Sequence, residues 1–317
     1  MKPALIVQKP GLLTTVQDEG RPGYQAYGMG VSGAMDPFAL QVGNLLVGNL
    51  RGEAALEITM SGPELEWRRD AWIALTGADL SPTLDGVPLP LWKTVSVKAG
   101  QVLRFGGPRQ GVRSYLAVAG GIEVKRVMGS KSTYLKGRVG GFHGRPLKKG
   151  DEVAVGDPRL SGERLAGRAL AGGERPSYRR ESRLRTVEGP QADAFTAEGI
   201  RCFYSQSYTV TPQSDRMGCR LQGSAIQHRG SADIISDAIP PGAVQVPANG
   251  QPIILMADRQ TTGGYTKIAT VLSVDLPLVA QAAVGHRFTF EQMTVEEAGR
   301  LAVEQERFLR QLEAHNR

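Results

Sequence analysis

The stretch KAGQVLRF at residues 98–105 decides the fold, because the same pattern returns as KKGDEVAV at 148–155 and as AVGHRFTF at 283–290. In each copy a glycine turn is followed by a strand in which apolar and polar residues alternate. Glycine suits such a turn because it tolerates the positive φ that the turn often needs. Since the pattern occurs in both halves of the chain, it predicts two related β-barrels or sandwiches.

Short apolar runs that end at turn residues make up much of the remaining sequence. Runs of six to eight residues favour buried strands over helices, and three are present, at 71–77, 114–121 and 252–257. Residues 267–275 alternate in part, as a half-exposed strand does. With 40 glycines and 19 prolines in 317 residues, the chain should contain many short elements. We predict a mainly β fold with few helices.

Two segments carry helix signals. Asp36 is a preferred N-cap and Pro37 a preferred first-turn residue, and the helix that they begin should end at Gly48. Thr294 and Glu297 form a capping box, in which the two residues satisfy each other's free amides. Apolar residues then recur near helical spacing, at Ala298, Leu301, Phe308 and Leu312.

A change of composition between Pro158 and Arg185 marks a boundary. Gly, Arg, Ala and Glu predominate there with scarcely any large apolar residue, as in a linker. A chain of 317 residues is also about twice the usual domain size. We predict an N-terminal β-barrel half with a Gly/Arg-rich linker at residues 1–175, and a C-terminal β-barrel half with a terminal helix at residues 176–317.

Composition excludes several classes of protein. With 41% hydrophobic and 22% charged residues, the chain is typical of soluble proteins and unlike disordered or membrane proteins. No window approaches the roughly 18 apolar residues of a membrane span. Two cysteines, Cys202 and Cys219, suit a reducing compartment, so we expect a cytoplasmic location. Histidine and cysteine lack the spacing of a zinc site, so we expect no metal.

Positive charge is concentrated in one part of the chain. The net charge is +7, and residues 98–185 hold 20 Lys/Arg against 7 Asp/Glu. Such a bias favours anionic partners: nucleotide phosphates, a carboxylate substrate or an acidic protein. Few aromatic residues lie among these charges to stack on bases, and we predict neither a nucleic-acid nor a membrane partner. A solvated surface is the alternative explanation for the charge.

No cofactor motif fits its required context. Gly28–Gly33 (GMGVSG) matches the dinucleotide fingerprint by letter, but a polar, turn-like segment precedes it where a buried strand is required, and the helix has its own cap at Asp36. The Gly-x-x-x-x-Gly-Lys-Ser/Thr sequence of a P-loop does not occur. We expect no cofactor to be held by a recognisable motif.

The first half contains one candidate binding loop, GSKSTY at residues 129–134. It follows the strand predicted at 114–121 and leads into a second glycine-rich segment at 137–145. Exposed glycine amides, hydroxyls and nearby cations can form an anion-binding concavity, and a mobile polar loop is the alternative. The candidate substrate-binding residues of this loop are Ser130, Lys131, Ser132 and Tyr134.

The second half contains two Asp-Arg pairs beside glycine-rich turns. They are Asp215–Arg216 and Asp258–Arg259, and we take all four residues as catalytic candidates. Such pairs are either a carboxylate base beside a guanidinium clamp or structural ion pairs that fix loops. Candidate substrate-binding residues lie in the neighbouring motifs, at Gln245, Thr262 and Tyr265.

Long, distinctive motifs follow one another along nearly the whole chain. They occupy residues 10–21, 32–36, 54–59, 114–121, 129–133, 214–218, 245–247 and 258–265. With these motifs the sequence resembles the biotin-dependent carboxyltransferase family, which includes the second subunit of allophanate hydrolase, KipA and the C subunits of 5-oxoprolinases. One departure is Lys131, where the motif of the family commonly has arginine; the two side chains differ as bidentate anion binders.

The resemblance implies two cyclophilin-like β-barrel halves with a functional cleft between them. It also implies three functions. The first is the C subunit of an ATP-dependent 5-oxoprolinase, which opens 5-oxoproline to glutamate with a KipI-like and a LamB/YcsF-like partner protein, ATP acting through these partners. The second is a biotin-dependent carboxyltransferase acting on urea or a similar amide. The third is a KipA-type regulator that binds a KipI-like kinase inhibitor.

The sequence itself favours the first function. It has no Met-Lys-Met biotinylation site and no biotin-carboxylase region, which fits one component of a larger enzyme better than a self-sufficient carboxylase. Both enzymatic functions require an amide carbonyl to be polarised and an oxyanion to be stabilised, for which the glycine-loop amides are suited. Arg216 or Arg259 would hold a substrate carboxylate. Asp215 or Asp258 would position a proton-carrying group or orient the arginines.

Overall fold

A computed structural model describes residues 3–315, which divide into two compact units. The first unit runs to Arg21, from Ser32 to Ser177, and from Phe308 onward. The second unit comprises Pro22–Val31 and Tyr178–Arg307. Both units are therefore discontinuous in sequence.

Antiparallel strands dominate the first unit. In chain order they are β1 (Pro3–Lys9), β2 (Leu13–Gln17), β3 (Ala55–Thr59), β4 (Glu64–Trp67), β5 (Ala71–Asp79), β6 (Pro82–Leu84), β7 (Val87–Pro88), β8 (Thr94–Val97), β9 (Val102–Phe105), β10 (Gln110–Val118) and β11 (Glu152–Ala154). They form a six-stranded sheet, in the order β11-β1-β4-β9-β6-β7, and a five-stranded sheet, in the order β2-β3-β10-β5-β8.

The two sheets share one hydrophobic core. Trp67 and Leu103 contribute from the six-stranded sheet, and Leu56, Ile58 and Leu116 from the five-stranded sheet. All five side chains are fully buried. Alternation places these residues on one face of each strand, so the pattern that predicted strands also determines which residues form the core.

Helix α1 (Pro37–Leu46) begins as the sequence predicts. The Asp36 carboxylate accepts the backbone N–H of Ala39 at 2.9 Å, and Pro37 occupies the first turn. Leu40 and Leu45 of this helix join a second core cluster of the first unit, which also contains Leu309 from near the end of the chain.

The Gly/Arg-rich segment contributes to this second cluster as well. It contains the single turn α2 (Gly162–Leu165), and Leu165 and Leu170 are almost completely buried in the cluster. Thr94 Oγ1 donates to the carbonyl of Leu165 at 2.6 Å. Few as the apolar residues of this segment are, they pack against the first unit.

The second unit contains a closed barrel. Its strands are β12 (Glu181–Glu188), β13 (Tyr208–Val210), β14 (Gly218–Gln222), β15 (Asp233–Ala238), β16 (Ala243–Gln245), β17 (Ile253–Leu255), β18 (Thr262–Tyr265), β19 (Lys267–Val271) and β20 (Arg287–Gln292). Seven strands close in the order β12-β19-β16-β17-β14-β13-β20, and β15 pairs with β18 as a separate two-stranded sheet. The predicted mainly β fold is confirmed; the barrel closes in this unit, whereas the first unit arranges its strands as two sheets.

Three helices belong to the C-terminal part of the chain: α3 (Ala197–Ser205), α4 (Leu276–Ala280) and α5 (Val295–His315). The predicted capping box of α5 is present. Glu297 accepts the N–H of Thr294 at 2.9 Å, and Thr294 Oγ1 accepts the N–H of Glu297 at 3.2 Å. Helix α5 runs from the second unit into the first.

The three glycine turns quoted at the outset have the same backbone conformation. Gly100, Gly150 and Gly285 have φ of +88°, +87° and +85°, the left-handed region that favours glycine. The strands that follow are β9, β11 and β20. The repeated sequence pattern is therefore a repeated structural element.

Among residues 3–315, no helix is both long enough and apolar enough to cross a membrane. Within the same range, no three His, Cys, Asp or Glu side chains are grouped so as to hold a metal ion. Cys202 and Cys219 are free thiols.

Candidate functional site

The candidate loop of the first unit surrounds a buried carboxylate, that of Asp18. Asp18 accepts Ser130 Oγ at 2.6 Å, Ser132 Oγ at 2.5 Å and the backbone N–H of Lys131 at 2.6 Å. It also accepts the N–H of Gly20 at 2.8 Å. Hydroxyl and amide donors thus converge on an anion, as the sequence predicts, but this anion belongs to the protein itself.

The side chain of Lys131 is also engaged within the first unit. Its Nζ lies 2.9 Å from Glu53 Oε1 and 3.6 Å from Glu123 Oε2, and it donates to the carbonyl of Ile122 at 3.0 Å. Lys131 is 5% exposed, so a bound ligand would have to replace these internal contacts. Arg21 donates to the carbonyl of Ser132 and fixes the loop from the other side.

Of the four candidates in this loop, three are buried: Ser130, Lys131 and Ser132. Tyr134 is half-buried, and its backbone pairs with Val139. Their role in substrate binding stays a prediction. Sequence reasoning missed Asp18, which lies 112 to 114 residues away from its serine partners; the polar turn Gln17–Gly20 was the one available signal.

In the second unit, Arg216 and Asp258 form a buried bidentate ion pair. Arg216 Nε lies 2.9 Å and Nη2 3.1 Å from the two carboxylate oxygens of Asp258, and each side chain is 6% exposed. The backbone N–H of Asp258 also donates to the Arg216 carbonyl at 2.8 Å. Paired planar groups in this geometry hold the two loops together.

The two remaining members of the Asp-Arg pairs differ in exposure. Arg259 is buried and donates to the carbonyls of Ile239 and Met256 at 2.9 and 3.2 Å, and burial lowers the pKa of its guanidinium. Asp215 is exposed and accepts the N–H groups of Met217 and Gly218 at 2.8 and 3.1 Å. Asp215 therefore keeps oxygen lone pairs available to solvent.

A cavity of about 660 Å³ lies beside strands β14, β16 and β17 of the second unit. It brings together three predicted site residues, Asp215, Gln245 and Tyr265, whereas Arg216, Asp258, Arg259 and Thr262 do not line it. Six carboxamide side chains line the cavity: Gln213, Gln222, Gln245, Asn249, Gln251 and Gln260.

Several polar groups of this cavity are free to meet a ligand. The side chains of Gln213, Gln222 and Gln260 make no hydrogen bond within residues 3–315. By contrast, Gln251 exchanges two hydrogen bonds with the backbone of Gly223, at 2.8 and 3.2 Å. Arg220, which is exposed and lines the cavity, has no ion pair in the described range. Carboxamides both donate and accept, so the cavity is chemically complementary to a small amide.

Lys267 is a buried polar residue near this cavity that sequence reasoning did not single out. Its side chain is 1% exposed, and its Nζ lies 2.9 Å from Asp237. This hydrogen bond holds the pKa of Asp237 below its usual value. Lys267 forms the register pair of Gln245, and in sequence it stands at the start of the alternating run 267–275, where it passes for an exposed position.

The fold and the site define a mainly β protein of two units, one of them a closed barrel beside a carboxamide-lined cavity. The family model described as "Carboxyltransferase domain, subdomain A and B" matches residues 27–292. The chain belongs to this family, as its motifs predicted.

Relatives of similar length carry a specific name. The chain is 41% identical to the C subunit of 5-oxoprolinase from Escherichia coli (strain K12) over 309 residues, covering 97% of both chains. It is 36% identical to the protein of the same name from Haemophilus influenzae, covering 94% of each. Among solved structures, the K. lactis urea amidolyase superposes with a TM-score of 0.91 at 30% identity, over 98% of this chain and 20% of that one.

Proposed function

We propose that this chain is the C subunit of a multi-subunit, ATP-dependent 5-oxoprolinase and helps to hydrolyse 5-oxoproline to glutamate. The observation that carries the proposal is the reciprocal coverage of 97% with a protein named as the C subunit of 5-oxoprolinase. The matching part of urea amidolyase is only 20% of that chain. A chain that matches one component of a complex from end to end is expected to work as such a component.

The carboxamide-lined cavity of the second unit supports this proposal. 5-Oxoproline is a cyclic amide with one carboxylate, so it needs partners for an N–H, a carbonyl and a negative charge. Gln213 and Gln260 supply donors and acceptors for the amide, and Arg220 supplies a cation for the carboxylate. The cavity volume of about 660 Å³ accommodates a small ligand.

Within the cavity, Asp215 is our candidate for handling a proton. Hydrolysis requires water to attack the carbonyl carbon, the C–N bond to break, and the released nitrogen to take up a proton. An exposed carboxylate can accept the proton of the attacking water and pass it to the leaving nitrogen. Donors that face the carbonyl oxygen stabilise the oxyanion formed in between.

The partners in this proposal are a KipI-like protein as the B subunit and a LamB/YcsF-like protein as the A subunit. The letter in the names of the two relatives supports the existence of further subunits. ATP would act through these partners, since the chain lacks a P-loop sequence. A cytoplasmic location is part of the same proposal and fits the two free cysteines.

Reconstitution tests the proposal. The chain is co-expressed with a KipI-like and a LamB/YcsF-like protein, and glutamate formation from 5-oxoproline and ATP is measured. We expect turnover with all three proteins, none when this chain is omitted, and at least about a tenfold loss for Asp215→Ala. As a matched control, Asp233→Ala changes an exposed aspartate that does not line the cavity and should retain activity. Full turnover without this chain would refute the proposal.

A carboxyltransferase is the second candidate, and the family match to residues 27–292 favours it. In this case a carboxyl group would pass from carboxybiotin, supplied on a separate carrier, to urea or a similar amide. The same purified chain is incubated with a carboxylated biotin carrier and urea. Transfer of labelled carboxyl to urea, together with no stimulation of 5-oxoproline hydrolysis, would decide for this candidate.

A further inference from the structure

The basic segment of the first unit has no part in the site described above. Between Val124 and Gly150 the sequence has eight Lys/Arg and no Asp/Glu. Part of this segment surrounds a cavity of about 370 Å³. The polar side chains that line it are Glu123, Lys125, Arg138 and His143.

The side chains of this second cavity carry a positive balance. Lys125 and Arg138 are exposed and make no ion pair among residues 3–315. Glu123, the one carboxylate in the lining, lies 3.6 Å from the buried Nζ of Lys131, which offsets its charge. His143 interacts electrostatically with Asp151, a residue already paired with Arg145 at 2.6 Å.

The backbone of the same cavity offers hydrogen-bond donors. The consecutive N–H groups of residues 140–143 donate no hydrogen bond within the described part of the chain, whereas Gly144 donates to the carbonyl of Gly140 at 2.7 Å. Gly140, Gly141 and His143 have φ of +69°, +52° and +57°. Consecutive amides in turns that include left-handed residues form nests that bind anions.

The turn is held in place by the loop beneath it. A Cβ at Gly140 would lie 2.2 Å from the carbonyl oxygen of Ser132, and one at Gly141 would lie 1.8 Å from Thr133 Oγ1. The turn therefore packs directly on the stretch that Asp18 anchors. A site fixed in this way loses little conformational entropy when it binds a ligand.

We propose that this second cavity binds a compact oxyanion carrying two negative charges, such as a phosphate group or a small dicarboxylate. The Arg138 guanidinium presents paired donors that match two oxygens of such an anion. Lys125 balances the second charge, and the free amides of residues 140–143 hydrogen-bond to the remaining oxygens. The site is separate from the proposed 5-oxoproline cavity and does not depend on it.

Calorimetric titration of the full chain tests this proposal. Inorganic phosphate, glutarate and acetate are titrated into the wild-type protein and into two double variants. Lys125→Gln/Arg138→Asn removes both cavity cations, with asparagine chosen because it tolerates the left-handed backbone at this position, where φ is +52°. Lys148→Gln/Lys149→Gln removes the same charge from the same segment outside the cavity.

We expect at least one of the two dianions to bind at least about tenfold more tightly than acetate. Which of them binds distinguishes a phosphate ligand from a dicarboxylate. The cavity variant should lose at least about tenfold in affinity, and the control variant less than about twofold. An equal loss in both variants would mean diffuse attraction to surface charge and would overturn the proposal, as would equal binding of acetate.

A measurement on the unaltered protein does not depend on the variants folding. Amide resonances are followed by NMR as phosphate or glutarate is added. The largest shifts are expected at residues 140–143. Saturable shifts centred elsewhere, or none at these four amides, would refute the site even if the calorimetry detected binding.

Discussion

The two candidate regions use similar residues in opposite ways. In the first unit, hydroxyls, amides and a lysine surround the protein's own carboxylates, Asp18 and Glu53. In the second unit, Gln213 and Gln260 line a cavity with side chains that contact no protein acceptor among residues 3–315. Residue type alone does not distinguish a binding loop from a structural one. What distinguishes them is whether the polar groups already have partners.

The largest expected effect comes from removing the buried carboxylate of the first unit. In Asp18→Ala, the donors from Ser130, Ser132, Lys131 and Gly20 lose their common acceptor inside the protein. Because unsatisfied buried donors are costly, the free energy of unfolding should fall by about 4 kcal/mol or more. Urea-induced unfolding measures this loss. Ser61→Ala, at a half-exposed position, serves as the control, and a loss below about 1 kcal/mol for Asp18→Ala would contradict the structural role.

The next effect concerns the buried pair of the second unit. Arg216→Lys keeps the charge but cannot reproduce the two parallel hydrogen bonds to Asp258, so it should cost about 2 kcal/mol of stability. Unfolding is measured together with the KM for 5-oxoproline in the reconstituted complex. A raised KM with unchanged stability would instead assign Arg216 to the substrate carboxylate, which is the role predicted from the sequence.

A third prediction tests the free carboxamides. Gln213→Ala and Gln260→Ala should each lower kcat/KM about tenfold, corresponding to the roughly 1.4 kcal/mol of one hydrogen bond. Stability should change by less than about 0.5 kcal/mol, because neither side chain has an internal partner to lose. Gln227→Ala, at an exposed position away from the cavity, is the matched control. Equal activity in all three variants would exclude these carboxamides from the site.

The smallest effect is a pH dependence at the half-exposed pair Arg145–Asp151. Burial alone would raise the pKa of Asp151, but hydrogen bonds from Arg145 and from the Lys148 N–H outweigh it and hold the pKa below the usual 3.8. The stability that this pair contributes is thus complete above pH 3.8 and is lost as the pH falls through the lower pKa of the folded state.

Asp151→Asn should remove this dependence, with a difference from wild type of at most about 1 kcal/mol at neutral pH. Unfolding curves recorded between pH 2 and 6 compare the two proteins. If the wild-type protein loses no more stability in acid than the variant, Asp151 is not a partner that matters.

Local elements could be predicted from the sequence because their causes are local. The N-cap Asp36, the capping box at Thr294 and the turn at Gly100 each depend on residues within a few positions. Barrel closure could not be predicted in detail, because it requires β12 to pair in parallel with β20, about a hundred residues further along. The same holds for Asp18, whose partners lie beyond residue 129.

The candidate site was predicted in part for the same reason. Asp215, Gln245 and Tyr265 come together at one cavity, but the motifs gave no sign that Arg216 would turn inward to Asp258. The carboxamides of the cavity were not singled out, because glutamine is common on surfaces and its spacing carries no periodic signal. Only tertiary structure shows that six of them face one space.

The path of helix α5 from the second unit into the first bears on how the chain folds during synthesis. Leu309 belongs to the hydrophobic cluster that also contains Leu40 and Leu45, yet it is translated after every strand of the barrel. A ribosome therefore delivers the complete barrel sequence before it delivers the residue that completes the earlier core. The unit that begins first is finished last, and its apolar cluster waits uncovered in the nascent chain until the final helix emerges from the exit tunnel.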